Sequence, residues 1–275
     1  MIRGRRNVCV AVRRPDGTIA HRCEPLEPFL PEPLRSVPLL RGVSGLVETL
    51  AIGMRALAYS ASVGAKDESQ EIDSNSLAIA VIFSLAFALA LFFGVPLVVS
   101  VVLEDALGSD LASNLFEGLT RLGIFLGYVY MIGRMPRIRR LFMYHGAEHM
   151  VVHAQEESEP LDVAVVRNHP KAHPRCGTAF LLTIMVTALA AFAFIGRDPL
   201  WWLVTSRIVL VPVIAAIAYE AVRFTSTHYD NPLVRILAAP NMALQAVTTS
   251  EPYDDQIEVA IAAIELTIEA DEGVA

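Results

Sequence analysis

Residues 74–103 carry no charged side chain over thirty consecutive positions. No other feature restricts the fold as strongly. A bilayer core is spanned by about 20 apolar residues in a helix, so this block is long enough to cross one. Residues 176–196 form a second uncharged block, of twenty-one. Two further apolar segments, 118–133 and 199–219, each contain one arginine, Arg121 and Arg207. A central arginine costs roughly 2.5–3.5 kcal/mol on insertion scales, which neighbouring Leu, Ile, Val and Phe can offset. Glu117 precedes Arg121 by one helical turn and so can neutralise it in part. Arg207 has Glu117 or Glu220 as its expected counter-ion, and an intramembrane arginine can also mark a transport pathway. No inverted repeat accompanies it. The expectation is a mainly α-helical, polytopic membrane protein with four transmembrane helices. At 54% hydrophobic residues, the composition agrees.

Basic residues orient the chain. Residues 1–73 hold ten Lys or Arg and residues 134–175 hold seven, whereas 104–117 hold none. The positive-inside rule then puts the N-terminal region and the 134–175 loop in the cytoplasm of a bacterial inner membrane. Four spans return the C-terminus to that side. No cleavable leader is recognised, because the run after Arg6 is only six residues long. Cys9, Cys23 and Cys176 would all be cytoplasmic and reduced, with no disulfide framework. A net charge of −7 speaks against nucleic acid as a partner. The basic run 135–140 suits anionic lipid headgroups instead. The lipid bilayer is thus the expected partner, along with other membrane proteins; oligomeric state is left open.

Six segments follow. Residues 1–38 read as a β-hairpin around a Pro-Asp-Gly turn, then a Pro-rich connector. Residues 39–73 contain an amphipathic helix with Arg41, Glu48 and Arg55 at seven-residue spacing, expected to lie on the inner leaflet, and a solvated linker. Residues 74–133 hold spans one and two, 134–175 the cytoplasmic loop, and 176–219 spans three and four. Residues 220–275 form an acidic helical tail: an amphipathic stretch interrupted at Pro240, then a helix with Ile257, Ile261, Ile264 and Ile268 at helical spacing.

The loop carries the chemistry. YHGAEHMVVH contains H-x-x-E-H, which on a helix sets His145 and His149 one turn apart and about 40° apart in azimuth. Both imidazoles can reach one ion, with Glu148 on the adjoining face as general base. This is the inverted zinc-peptidase pattern. His153 follows one turn later, and NHPKAHPRCG adds His169, His173 and Cys176. A catalytic zinc site needs three protein ligands and an open position. His145 and His149 supply two, and His173 or Cys176 the third. The expected cofactor is a divalent transition metal, with zinc the foremost candidate. A plainer reading stands beside it: the histidines anchor the loop at the interface or close a four-ligand structural site in a non-enzymatic scaffold or biogenesis factor.

Around these residues the chain resembles the YqhQ-like family of bacterial multipass membrane proteins, a family of unknown function described as predicted metal-dependent enzymes. The resemblance covers VAVRRPDG, PLLRGVSGLVETLAIGMRALAYSA, YHGAEH with His153, HPRCGTAFLL, YEAVRF and TTSEPYDDQIEVAIAAIE. It implies that His145, Glu148, His149, His153, His173, Arg175 and Cys176 are the signature polar positions, and His169 is not among them. The chain departs from the family pattern at three places. It opens at MIRGRRN where relatives show a glycine-rich lead, has Met150 where lysine is common, and has APNMALQ where a Pro-Gly pair is common.

Overall fold

The computed structural model describes residues 1–27, 29–35, 37, 40–64 and 74–273. It begins with a three-stranded antiparallel sheet, β1 (Ile2–Arg3), β2 (Asn7–Arg13) and β3 (Ile19–Pro25), in the order β1-β2-β3. The expected hairpin is there, extended by one short strand. Its turn forms as the residues dictate. Gly17 takes φ +90°, and Asp16 Oδ1 accepts from the Thr18 amide at 2.9 Å and hydroxyl at 2.7 Å. The register sets Cys9 opposite Cys23, with Cα atoms 4.1 Å apart, and the two are joined in a disulfide. This corrects the expectation of three reduced thiols. That expectation came from the compartment, whereas strand pairing brings these two sulfurs together.

Helices follow: α1 (Glu32–Arg35), α2 (Leu40–Gly64), α3 (Ser74–Leu89), a π-turn (Ala90–Gly94), α4 (Val95–Val102) and α5 (Glu104–Leu107). The chain continues with α6 (Asp110–Ile132), α7 (Pro136–Glu156), α8 (Val163–Val166) and α9 (Thr178–Phe192). It ends with α10 (Leu200–Val209), α11 (Val211–Thr227), α12 (Pro232–Thr248) and α13 (Asp254–Glu272). The linker expected at 66–73 and the boundary at 38/39 lie outside the described residues.

Two helical stretches are long and apolar enough to cross a membrane, Val81–Val102 and Asp110–Ile132. Ile82 and Phe83 are 67% and 72% exposed, a surface suited to lipid rather than water. A third candidate is the α10–α11 pair, bent by 41° where Pro212 removes an amide from the helical ladder. The third expected span, 176–196, is helical over only fifteen residues, Thr178–Phe192. Among the described residues, two or three helical stretches are therefore long and apolar enough to span, where four spans were expected. Pro240, read from sequence as an interruption, sits inside a continuous α12.

Charge inside the apolar layer is gathered at one point. Glu117, 1% exposed, bonds Arg121 at 2.7 Å, Arg207 at 3.0 Å and Arg197 at 3.1 Å. Asn114 Oδ1 accepts from Arg207 and Arg197, at 2.6 and 2.9 Å. Arg207 is thus an internal partner of Glu117. Glu220, the other candidate, pairs with Arg41 of α2. Along α2, Glu48 meets Arg3 and Arg55 meets Glu24. The charged stripe of α2 is therefore taken up by the protein, while Leu50, Met54 and Leu57 stand exposed.

The apolar core outside these spans joins α7, α8, α13 and β1. Ala147, Met150, Val151 and Ala154 pack on Ile257, Ile261 and Ile264. Ile268 is partly buried against them, so the isoleucine periodicity of the tail is the core face of α13. Asp271 ties the sheet to that helix, its carboxylate accepting from the amides of Arg5, Arg6 and Asn7.

A candidate metal centre on α7

Helix α7 starts at Pro136, where the missing amide is no loss, and runs unbroken through HGAEH. Its orientation is set by small residues. A Cβ on Gly146 would lie 2.5 Å from the carbonyl oxygen of Ser250, and Ala147 is fully buried. Ser250 in turn donates its amide to the Phe142 carbonyl at 2.9 Å. The HPRCG segment is held against α12 by Gln245, which is fully buried. Gln245 accepts from the His173 amide at 2.8 Å and donates to the His173 carbonyl at 3.0 Å.

With both segments fixed, one nitrogen each from His145 and His149 and the sulfur of Cys176 fall within 4.8 Å of one another. His145 Nε2 lies 3.2 Å from Cys176 Sγ. His145 Nδ1 donates to the Thr248 carbonyl at 2.9 Å, and His149 Nδ1 to the Lys171 carbonyl at 2.5 Å. Each imidazole thus has Nδ1 occupied by backbone, which leaves Nε2 as its remaining ligand atom. Metal-binding histidines are held in this way by their outer nitrogen. The sulfur also receives the Thr178 amide at 3.4 Å and lies 3.1 Å from the Thr178 hydroxyl.

The electrostatics follow from this packing. Burial pushes the Cys176 thiol up, but hydrogen bonds and charge from His145 and His149 outweigh it and bring the group down to about 5. Burial works against protonating His145, yet the Cys176 sulfur, the Thr248 carbonyl and the Glu148 carboxylate together raise it above the ordinary imidazole value.

The other sequence-predicted residues take separate places. His173 is buried, with Nε2 3.4 Å from Glu156 and Nδ1 accepting from the Arg175 amide at 3.2 Å, so both ring nitrogens are engaged. Burial, together with the neighbouring His153 and His149, lowers it to about 4. His153 Nε2 donates to the Ala172 carbonyl at 3.0 Å, and its ring centroid lies 4.5 Å from that of His173. Arg175 pairs with Glu156 at 2.6 Å and is otherwise exposed. His169 meets Glu159 at 3.1 Å. With Glu157 these two make a second group of close donors, both carboxylates at the surface. Arg207 belongs to the Glu117 network between α6 and α10.

Glu148 does not join the three donors. It lines a cavity of about 660 Å³ together with His145, Tyr144, Arg140 and Thr178. His145 and Glu148 share this cavity, whereas His149 and His173 do not line it and His173 faces Glu156. Sequence reasoning missed Gln245, Thr178 and the carbonyls of Lys171 and Thr248. Only TTSEPYDD, which begins at Thr248, gave a hint that the segment after α12 mattered.

No solved structure matches the chain. The uncharacterized protein YqhQ of Bacillus subtilis (strain 168) is 33% identical over 276 residues, which cover 95% of this chain and 86% of that protein. Residues 37–270, which include every element from α2 to most of α13, match the family described as "Protein of unknown function (DUF1385)". With both comparisons spanning the histidine helix and the HPRCG segment, the chain belongs to the DUF1385 family.

Proposed function

We propose that this chain is a membrane-embedded, metal-dependent hydrolase whose site lies on the cytoplasmic side of a four-span protein. One observation carries the reading. Two imidazoles with backbone-fixed Nδ1 atoms and one thiol converge beside a cavity that Glu148 lines. Three ligands and an open side describe a catalytic rather than a structural zinc site. A closed site would need a fourth ligand, and the near candidates His173 and His153 are engaged with Glu156 and Ala172. The donor set also fits zinc in chemical type, two imidazole nitrogens and one sulfur. His145, His149 and Cys176 would hold the ion. Bound there, zinc supplies Lewis acidity to a scissile carbonyl or phosphoryl group and acidifies water at neutral pH. Glu148 takes the proton from the attacking water, and Tyr144 and Arg140 orient the substrate along the same wall. The short α9 serves as the third span, its ends completed by the flanking non-helical residues. The bent α10–α11 pair is the fourth. The bilayer, and other membrane proteins at its surface, are the proposed partners.

Elemental analysis of detergent-purified protein tests this directly. Close to one zinc per chain is expected in the wild type, and none in His145→Ala/His149→Ala that still elutes as a folded species. Wild-type protein without stoichiometric transition metal would overturn the reading. Glu148→Gln separates enzyme from scaffold. It should keep the metal and lose about 10²–10⁴ in rate, the usual cost of removing a general base.

A further inference from the structure

The cavity beside the centre points to the class of molecule acted on, an inference that rests on the hydrolase reading above. Its volume of about 660 Å³ lies within the ~300–1,000 Å³ span of small-molecule sites. It is enclosed by the sheet, α2, α7 and α13, and its chemistry is divided. His145, Glu148, Tyr144, Arg140 and Thr178 form one polar wall. Val10, Val12, Ala56, Leu57, Val259 and Ala260 line the rest of it from the sheet, α2 and α13, with Arg13 and Ser60 as polar side chains among them.

The mouth is apolar as well. Leu57 and Leu141 line the cavity and are still 60% and 53% exposed. On α2, Leu57 continues a stripe with Leu50 and Met54, 65% and 46% exposed among the described residues. A hydrated metabolite would gain nothing from these apolar side chains. An acyl chain would pass from lipid into a site of the same polarity. Beside the rim, Arg140 lines the cavity, and Arg137 and Arg139 are exposed on the same turns of α7. These charges suit an anionic headgroup. Space is reserved too: Gly53 lines the cavity, and a Cβ there would meet nothing within 4 Å.

We propose that the substrate is an anionic glycerophospholipid, its acyl chain in this cavity and its ester at the His145–Glu148 wall. The water oxygen bonds to the ester carbonyl carbon while Glu148 accepts the water's proton. The acyl C–O bond then breaks, and Glu148 returns the proton to the departing glycerol oxygen. One water is consumed, and a fatty acid and a lysophospholipid are released, with no change in oxidation state.

The test uses the full chain in vesicles of phosphatidylglycerol and phosphatidylcholine that contain phosphatidylglycerol with a diazirine in one acyl chain. After illumination, adducts are mapped by mass spectrometry, and fatty acid release is measured on the same vesicles. Adducts are expected on the α2, α7 and α13 segments that line the cavity. Gly53→Phe should reduce them at least about tenfold by filling the space, while Gly127→Phe, on α6 and outside the cavity lining, keeps them. Arg140→Gln, or the same label carried on phosphatidylcholine, should reduce them as well. Adducts confined to the outer faces of α3 and α9, or unchanged in Gly53→Phe, overturn the lipid assignment. The two readings fail separately. Bound zinc without cavity adducts rejects the lipid, whereas cavity adducts without zinc or fatty acid release reject the hydrolase.

Discussion

Removing the Glu117 carboxylate should be the most damaging single change among the long apolar helices. Glu117, Arg121, Arg197 and Arg207 are 1%, 3%, 2% and 5% exposed, so water screens none of them well. One carboxylate faces three guanidinium groups, with Glu104 bonding Arg197 from its more exposed side at 2.9 Å. Counting both acids, the cluster already holds one positive charge in excess; Glu117→Gln makes it two. Breaking a buried pair by removing one partner costs about 3–5 kcal/mol, because the surviving charge stays desolvated. At about 2–4 °C per kcal/mol for a chain of this size, the melting temperature should fall by roughly 6–20 °C. Thermal unfolding in detergent, followed by loss of the monodisperse elution peak, measures it. A compensating variant sharpens the case. Glu117→Leu/Arg207→Leu should melt above Glu117→Leu alone, since apolar replacement of a buried pair is often close to neutral. A fall of less than about 2 °C for Glu117→Gln would refute the reasoning by showing that water reaches these arginines.

Three further outcomes are expected. Cys176→Ser should lower bound zinc well below one per chain, as the thiolate is replaced by a weakly acidic hydroxyl, whereas Cys9→Ser/Cys23→Ser should leave it unchanged. In intact cells an impermeant maleimide should label Asp105→Cys but not Glu157→Cys, and the reverse pattern would invert the topology. Burial pushes the Asp271 carboxyl up, but the amides of Arg5, Arg6 and Asn7 hold it below the ordinary value of 3.8. Its contribution is therefore complete above that value and is lost as pH falls through the depressed one. Amide exchange at residues 5–7 should accelerate in that acid range, and Asp271→Asn should show the acceleration already at neutral pH.

Elements that depend on local pattern were legible. The uncharged run 74–103, the Pro-Asp-Gly turn, the isoleucine face of α13 and the register of His145 with His149 all follow from spacing alone. Elements that depend on a distant partner were not. Which residue joins the two histidines could not be read, because Glu156 takes the His173 ring from a turn beyond His153 and so leaves Cys176. Gln245 holds the His173 backbone from 72 residues away. The Cys9–Cys23 pairing needed the strand register, and compartment reasoning pointed against it. The helix expected over 176–196 is short because the apolar run past Phe192 leaves it, and composition alone does not mark that end.

The six residues YHGAEH divide their work by helical angle, and that division makes Gly146 a test of the whole site. Ala147, like Met150 and Val151 one turn on, faces the α13 core; His145 faces Cys176 and the Thr248 carbonyl; Glu148 faces the cavity. Gly146 lies between these faces and lets the helix approach the backbone at Ser250. Adding one methyl there places a carbon 2.5 Å from a carbonyl oxygen, and no flexible side chain is available to give way. The segment after α12 must shift, and it carries the Thr248 carbonyl that fixes His145 Nδ1. Overpacking of this kind costs about 1–3 kcal/mol in stability. Losing an outer hydrogen bond to a metal-binding histidine typically costs about 10–100-fold in affinity. Gly146→Ala should therefore weaken zinc binding, measured by competition with a chromophoric chelator, although every ligand is intact. Gly53→Ala is the control, because its new methyl meets open space and only gains helix propensity, about 0.5–1 kcal/mol. Equal zinc affinity in Gly146→Ala and wild type would mean that the histidines are not positioned through this contact.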